Sequence, residues 1–289
     1  MAKHYTKEEI QFIKDYVEKY GIKICAEKLN RPVQGVKNKV FRLNIDASLD
    51  GWAINEEKEN LKFESNFKKL ELDFNKSKYP KELAYFLGFL WSDGYVSEST
   101  KRIAIEIVEE DGIEIKHILD KVCTFSIYHR NKEGRKPQMT FYYSDLEPVK
   151  TLYSLGKYPH SVESHEKILN FIPEEYHIYF LRGLIDGDGC FYIHDYVKSI
   201  ATQFTICGNV EQDWKYLVEE LKNYGMTCSI KRRQEKSGNS SIIRNTNRIE
   251  LKTFIGNLYK TEDNIWLPRK YEKAMQIFNL EDPIEIIND

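Results

Sequence analysis

Apolar residues in this chain recur with two periods, and the points where one period gives way to the other mark its elements. Thr6 followed by Glu9 forms a capping box, opening a helix with Ile10, Ile13, Tyr16 and Val17 on one face. Gly21 closes that helix, residues 22–29 read as a short second one, and Asn30-Arg31 as a turn. Pro32, suited to a first helical position, starts a third that runs to about Leu43. Residues 46–79 have weak periodicity, mixed charge and scattered aromatics, the pattern of a linker with some helix. From Pro80 the signal is strong. An apolar helix ends at Asp93-Gly94, β-prone Tyr95-Val96 follow, 102–107 alternates with period two, and 113–122 has helical spacing. Residues 125–130 and 139–144 read as a hairpin around the turn-rich 131–137, and 146–155 as a helix. The order then recurs. A helix opens at Pro173-Glu174-Glu175 and ends at Asp188-Gly189, with strands at 190–193 and 201–207 and an amphipathic helix at 210–224. A long-looped hairpin (226–233 with 242–251) and a closing segment, 254–259, complete it.

The recurrence is an internal repeat. Residues 86–94 (FLGFLWSDG) align without gaps on 181–189 (LRGLIDGDG), at an offset of 95. Glycine inside a helix costs about 1 kcal/mol relative to alanine, so Gly88 and Gly183 call for close helix–helix approach. If the helices pack there, Asp93 and Asp188 emerge together at two C-terminal ends. Helix dipole and like charge both oppose carboxylates at that place, and divalent cations relieve the repulsion. A paired-carboxylate metal site is the natural reading.

Both segments resemble the signature helix of the LAGLIDADG homing endonucleases, in the single-chain form with two repeats, over roughly residues 80–278. The resemblance implies an α+β fold: two pseudo-symmetric αββαββα repeats packed through their motif helices, behind a small three-helix domain. The corresponding boundaries are 1–45 for that domain, 46–79 for the linker, 80–172 for repeat 1, and 173–289 for repeat 2 with a C-terminal segment. It also implies Asp93 and Asp188 as metal ligands, with Mg²⁺ as the ion and Mn²⁺ able to substitute. The first copy departs from the pattern at Trp91, where the second has Asp186. Active sites of the family often include a lysine from late in each repeat, which the resemblance makes a catalytic candidate. Lys270, in 267–273, matches that position, while the first half has His160 where relatives tend to have lysine, with Lys157 close by.

Composition changes the picture little: 41% hydrophobic and 30% charged residues describe a globular chain. No apolar run approaches bilayer length and the N-terminus is polar, so a soluble intracellular protein without a membrane partner is expected. Five scattered cysteines without a CxxC pair argue against a disulfide framework or zinc site. The net charge of −2 does not by itself suggest a nucleic acid, but its distribution does. Residues 1–45 hold eight Lys and two Arg against five Asp or Glu, a net of +5. Their third helix bears Lys37, Asn38, Lys39 and Arg42, resembling a helix-turn-helix or Myb-like unit. Lys231, Arg232, Arg233 and Lys236 crowd the second hairpin, and Arg244, Asn245, Asn247 and Arg248 are expected along its partner strand. Arg102, Lys132, Arg135 and Lys136 are the first half's counterparts. In the family the two sheets form a saddle over the DNA major groove, where arginine pairs with guanine and asparagine with adenine. The expected protein is therefore a monomeric, site-specific endonuclease cutting both strands of double-stranded DNA. Two alternatives are a non-catalytic DNA-binding transcriptional regulator, which loss of the acidic positions would favour, and an RNA-splicing maturase binding its intron RNA.

Overall fold

A computed structural model describes residues 5–43, 45, 68–131, 133–157, 162–196, 199–235 and 238–281. The chain forms two compact units, residues 1–66 and 67–289.

In the first unit, α1 (Lys7–Lys28) opens with the expected capping box: Thr6 Oγ1 accepts from Glu9 N while Glu9 accepts from Thr6 N. Gly21, at φ 78° and ψ 165°, breaks the helical geometry inside this span, so the chain changes direction there. α2 (Val33–Arg42) turns Val36 and Val40 onto Ile13, Val17, Cys25 and Ala26. Arg31 donates twice to the Glu9 carboxylate (2.9 and 2.8 Å), tying the inter-helix turn to the start of α1. With its inner face used this way, α2 leaves Lys37, Asn38 and Arg42 exposed and Lys39 half-buried.

The second unit is α+β, and its two repeats share one order. The first has α3 (Pro80–Asp93), β1 (Gly94–Ser97), β2 (Arg102–Val108), α4 (Glu109–Val122), β3 (Ser126–Arg130), β4 (Gln138–Ser144) and α5 (Leu146–Ser154). After α6 (Glu166–Phe171) and a 3₁₀ turn, the second has α7 (His177–Asp188), β5 (Gly189–Tyr196), β6 (Ser199–Asn209), α8 (Lys215–Asn223), β7 (Ser229–Glu235), β8 (Gly238–Asn245), α9 (Arg248–Leu258) and α10 (Pro268–Phe278). The antiparallel sheets run β1-β2-β4-β3 and β5-β6-β8-β7. Each has one face on the helices, with Ile103, Ile105 and Phe141 in the first and Phe204, Ile206 and Ile243 in the second fully or almost fully buried. Residues 68–79, read from sequence as the end of a linker, pack on this unit. Lys68 and Thr124 exchange hydrogen bonds, and Leu70 and Leu72 are buried. The rest of the expected linker, 46–67, lies outside the described residues.

Two of the element boundaries that differ from expectation have a visible cause. The helix expected over 210–224 spans only Lys215–Asn223. Asn209 Oδ1 takes Glu211 N and Asp213 Oδ1 takes Lys215 N, so short polar side chains capture backbone donors a helix would need. The strand expected over 242–251 stops at Asn245. Asn247 then caps α9, its Oδ1 accepting from Ile249 N and Glu250 N. Among the described residues no helix is long and apolar enough to cross a membrane.

Candidate active site

The two motif helices meet backbone to backbone. A Cβ built on Gly88 would lie 2.0 Å from the Phe180 carbonyl oxygen, and one on Gly183 would lie 2.0 Å from that of Tyr85. Near the C-terminal ends a Cβ on Gly187 would strike Ser92 Oγ at 1.9 Å and approach Asp93 Oδ2 to 3.2 Å. Only paired glycines permit this approach, and it brings the ends carrying Asp93 and Asp188 together.

Both aspartates reach the surface, yet surrounding protein depletes their water. Burial raises the Asp93 carboxyl above its ordinary value against the pull of Lys270, Lys157 and Arg269. Asp188 is pushed up to about 6, first by burial and then by the charge of Asp93. Two lysines face them. Lys157 Nζ donates to the Trp91 carbonyl (2.8 Å), and burial lowers its pKa to about 8 against the attraction of Asp188 and, less, Asp93. Lys270 Nζ donates to the Gly189 carbonyl, and burial lowers its pKa too. Each ammonium therefore caps the carbonyl end of a motif helix, where positive charge is favoured. Arg269, beside Lys270, makes a bidentate pair with Asp111 of α4 (2.7 and 2.6 Å), joining the two repeats next to the site.

The asymmetry at Trp91 has a structural basis. Its counterpart Asp186 is buried and accepts from Tyr85 Oη (2.8 Å) and from Leu267 N (2.6 Å) just before α10, which carries Lys270. Burial pushes Asp186 up to about 7 despite those bonds. Trp91 instead packs beside His165 (ring centroids 5.6 Å apart), and His165 stacks on Trp214 (6.0 Å, 16° between planes). Among the described residues no cluster of three His, Cys, Asp or Glu side chains stands ready to hold a metal, so the chain offers two carboxylates there. That donor set suits Mg²⁺, which commonly takes one or two carboxylates and completes its octahedron with water and phosphate oxygens.

Strand parity sorts the basic residues expected on the sheets. In the second sheet Lys231, Arg233 and Arg244 share the open face with Gln203 and Thr205, as Ser229↔Arg244↔Thr205 and Arg233↔Ser240 pairing requires. Arg232 and Asn245 have the opposite parity and point to the helices. Arg232 donates to the carbonyls of Val210 and Gln212, and buried Asn245 donates to Thr227 O and Glu250 (2.7 Å each). Asn247 is spent on the α9 cap, and Arg248 donates to the Glu281 and Ile200 carbonyls. Arg232, Asn245, Asn247 and Arg248 thus brace the fold instead of lining the expected strand face. In the first sheet Arg102 lies over the Tyr142 ring, 5.3 Å from its centroid, beside an open-face hollow of about 520 Å³ also lined by Tyr128. Arg135 and Lys136 are exposed at the hairpin tip, where Lys136 pairs with Glu110 (3.4 Å). Lys132, His160 and Lys236 lie outside the described residues. Periodicity gave no sign of His165, Trp214 or Arg269 as neighbours of the site, because all three arrive from connections and helix starts.

Residues 181–263 match the family model described as LAGLIDADG endonuclease. Among curated proteins, the replication factor C small subunit of Methanocaldococcus jannaschii is 25% identical over 226 residues, covering 73% of this chain. The chain spans only 11% of that relative's length. Among solved structures, the LAGLIDADG meganuclease I-AabMI bound to uncleaved DNA is 13% identical, covering 67% of this chain and 87% of that one, at a TM-score of 0.46. The I-LtrWI LAGLIDADG homing endonuclease bound to target DNA is 14% identical, covering 70% and 90%, also at 0.46.

Proposed function

We propose that this two-repeat protein of the LAGLIDADG type is a divalent-metal-dependent, site-specific DNA endonuclease that hydrolyses one phosphodiester bond in each strand of a double-stranded target. The observation that carries this reading is the pair Asp93 and Asp188, delivered side by side by two helices that touch through Gly88 and Gly183. Asp93 and Asp188 would hold the cation, Mg²⁺ with Mn²⁺ able to substitute. A cation held by these carboxylates would supply Lewis acidity toward a phosphate and toward water, chemistry that needs no nucleophilic side chain.

The rest of the work falls to the chain. Lys157 and Lys270 place positive charge on either side of the carboxylates and would draw a phosphate down to them. Lys231, Arg233 and Arg244 on one sheet, with Arg102, Arg135 and Lys136 on the other, would neutralise backbone phosphates and meet base edges along the target. α2 would add a contact through Lys37, Asn38, Lys39 and Arg42. The protein would act as a monomer, since one chain supplies both aspartates.

The test is cleavage of a randomised DNA library with Mg²⁺ by wild type and by Asp93→Asn with Asp188→Asn. Wild type is expected to cut both strands of a long site, and the double variant to bind that site without cutting. Metal-dependent cutting that survives in the double variant refutes the assignment. Tight binding by a wild type that cuts nothing favours a regulator.

A further inference from the structure

The departure from the motif at Trp91 belongs to a construction found beside Asp188. A small cavity, about 50 Å³, is lined by Trp91, His165, Asp188, Cys207, Gln212 and Trp214, with apolar residues closing the remainder. His165 is 2% exposed, hydrogen-bonds the Asp213 backbone and leaves Nδ1 buried without a partner among the described residues. The ring cannot turn away. Trp91 packs on one side and Trp214 on the other, and the Trp214 indole is pinned by a hydrogen bond to Ser241 Oγ (2.7 Å). A Cβ on Gly208 would fall 2.6 Å from the Trp214 ring, so this glycine is what lets the indole lie against β6.

Among its described residues the other half has no histidine at the corresponding place. The offset that superposes the motifs sets Leu70 opposite His165 and Asp186 opposite Trp91. Where Asp186 holds the N-terminus of α10, and with it Lys270, the Trp91 side holds a buried imidazole on the wall of a cavity that Asp188 also lines. Such a cavity is large enough for one water and offers it polar partners at His165, Asp188 and Gln212.

We propose that His165 is a positioning residue for the Asp188 half of the site, binding through Nδ1 a structural water that also hydrogen-bonds the Asp188 carboxylate and fixes its orientation. This rests on the endonuclease reading. It requires the two halves to be unequal: the strand served by the His165 side depends on this water, and the other does not. Orienting partners of this kind typically matter about 10- to 100-fold in activity when removed.

The experiment compares nicking of the two strands of a site selected by the wild type, under single-turnover conditions, in His165→Phe and His165→Gln. The ratio of the two rates is measured within one complex, so partial misfolding of a variant does not change it. His165→Phe is expected to shift the ratio by about tenfold or more, while His165→Gln, which keeps a hydrogen-bonding group, returns it to within about threefold of wild type. A second readout needs neither metal nor DNA: the ¹⁵N signal of His165 Nδ1 is expected to move in Asp188→Asn. An unchanged ratio, equal slowing of both strands, or an Nδ1 signal indifferent to Asp188→Asn would overturn the proposal while leaving the endonuclease reading intact. A wild type that cuts no DNA removes the endonuclease reading, and this proposal with it.

Discussion

A fully buried histidine resists protonation, and His165 is held down to about 4 from an ordinary value near 6.5, chiefly by burial and against the pull of Asp213. With the folded pKa depressed, the stability it contributes is full above 6.5 and is lost as pH falls through 4. Roughly 3 kcal/mol of the acid destabilisation between pH 7 and pH 4 should therefore trace to this one ring. Asp188 works in the opposite sense. Its folded pKa is raised to about 6, so its burial penalty is relieved as pH drops through the same window. The wild-type curve mixes the two. Guanidinium unfolding of wild type and His165→Phe at pH 7 and pH 4, without metal, separates them: the variant should lose less on acidification by roughly 3 kcal/mol. Equal losses would show that the ring is protonated in the folded state at ordinary cost. None of this was legible in the sequence, where His165 sits in a connection without periodicity. Asp93 and Asp188, by contrast, were legible because a gapless repeat marked them.

At the scale of elements, the motif helices were readable because a glycine inside an apolar helix asks for a reason, and backbone contact is that reason. Gly183→Ala gains about 1 kcal/mol of helix propensity but drives a methyl into the Tyr85 carbonyl, which has no side-chain freedom with which to move. A net loss of about 3 kcal/mol or more is expected, at the severe end of overpacking. Gly112→Ala in α4 is the control, since its new methyl meets chiefly the Met139 thioether (Sδ, 2.9 Å) and Ile107. A methionine can turn, so a change within about 1 kcal/mol is expected. Similar thermal midpoints for the two variants would mean the helices can separate at little cost. Strand existence was equally legible, but facing was not. Charge along residues 226–251 looked like one basic surface until pairing at Ser229↔Arg244 fixed parity and turned Arg232 and Asn245 inward. Asn245 and Asn247 illustrate why boundaries slipped. Their amides satisfy backbone groups and end the strand, an effect that apolar periodicity does not register.

Across the whole molecule, charge and packing divide the labour. The buried core of residues 5–45 (Ile13, Val17, Cys25, Ala26, Val36 and Val40) and that of the second unit share no residue, so each unit has its own means of staying folded. Residues 1–45 carry +5 in a chain of −2, residues 46–66 carry −4, and the second unit carries −3. On the endonuclease reading, a mildly acidic second unit would bind DNA through the few cations on its open faces, and residues 1–45 would add positive charge that it lacks. Removing residues 1–66 should therefore act on affinity through salt. If Lys37, Lys39 and Arg42 each neutralise one phosphate, the slope of log K against log salt falls by about 2 to 3, and the loss of affinity is largest at low ionic strength. Strand scission at saturating protein should persist, because Asp93, Asp188, Lys157 and Lys270 all belong to the second unit. Fluorescence anisotropy across a salt series, with single-turnover cleavage beside it, measures both. A slope equal to that of the full chain would detach the first unit from DNA, and scission lost at saturation would place part of the chemistry within residues 1–66.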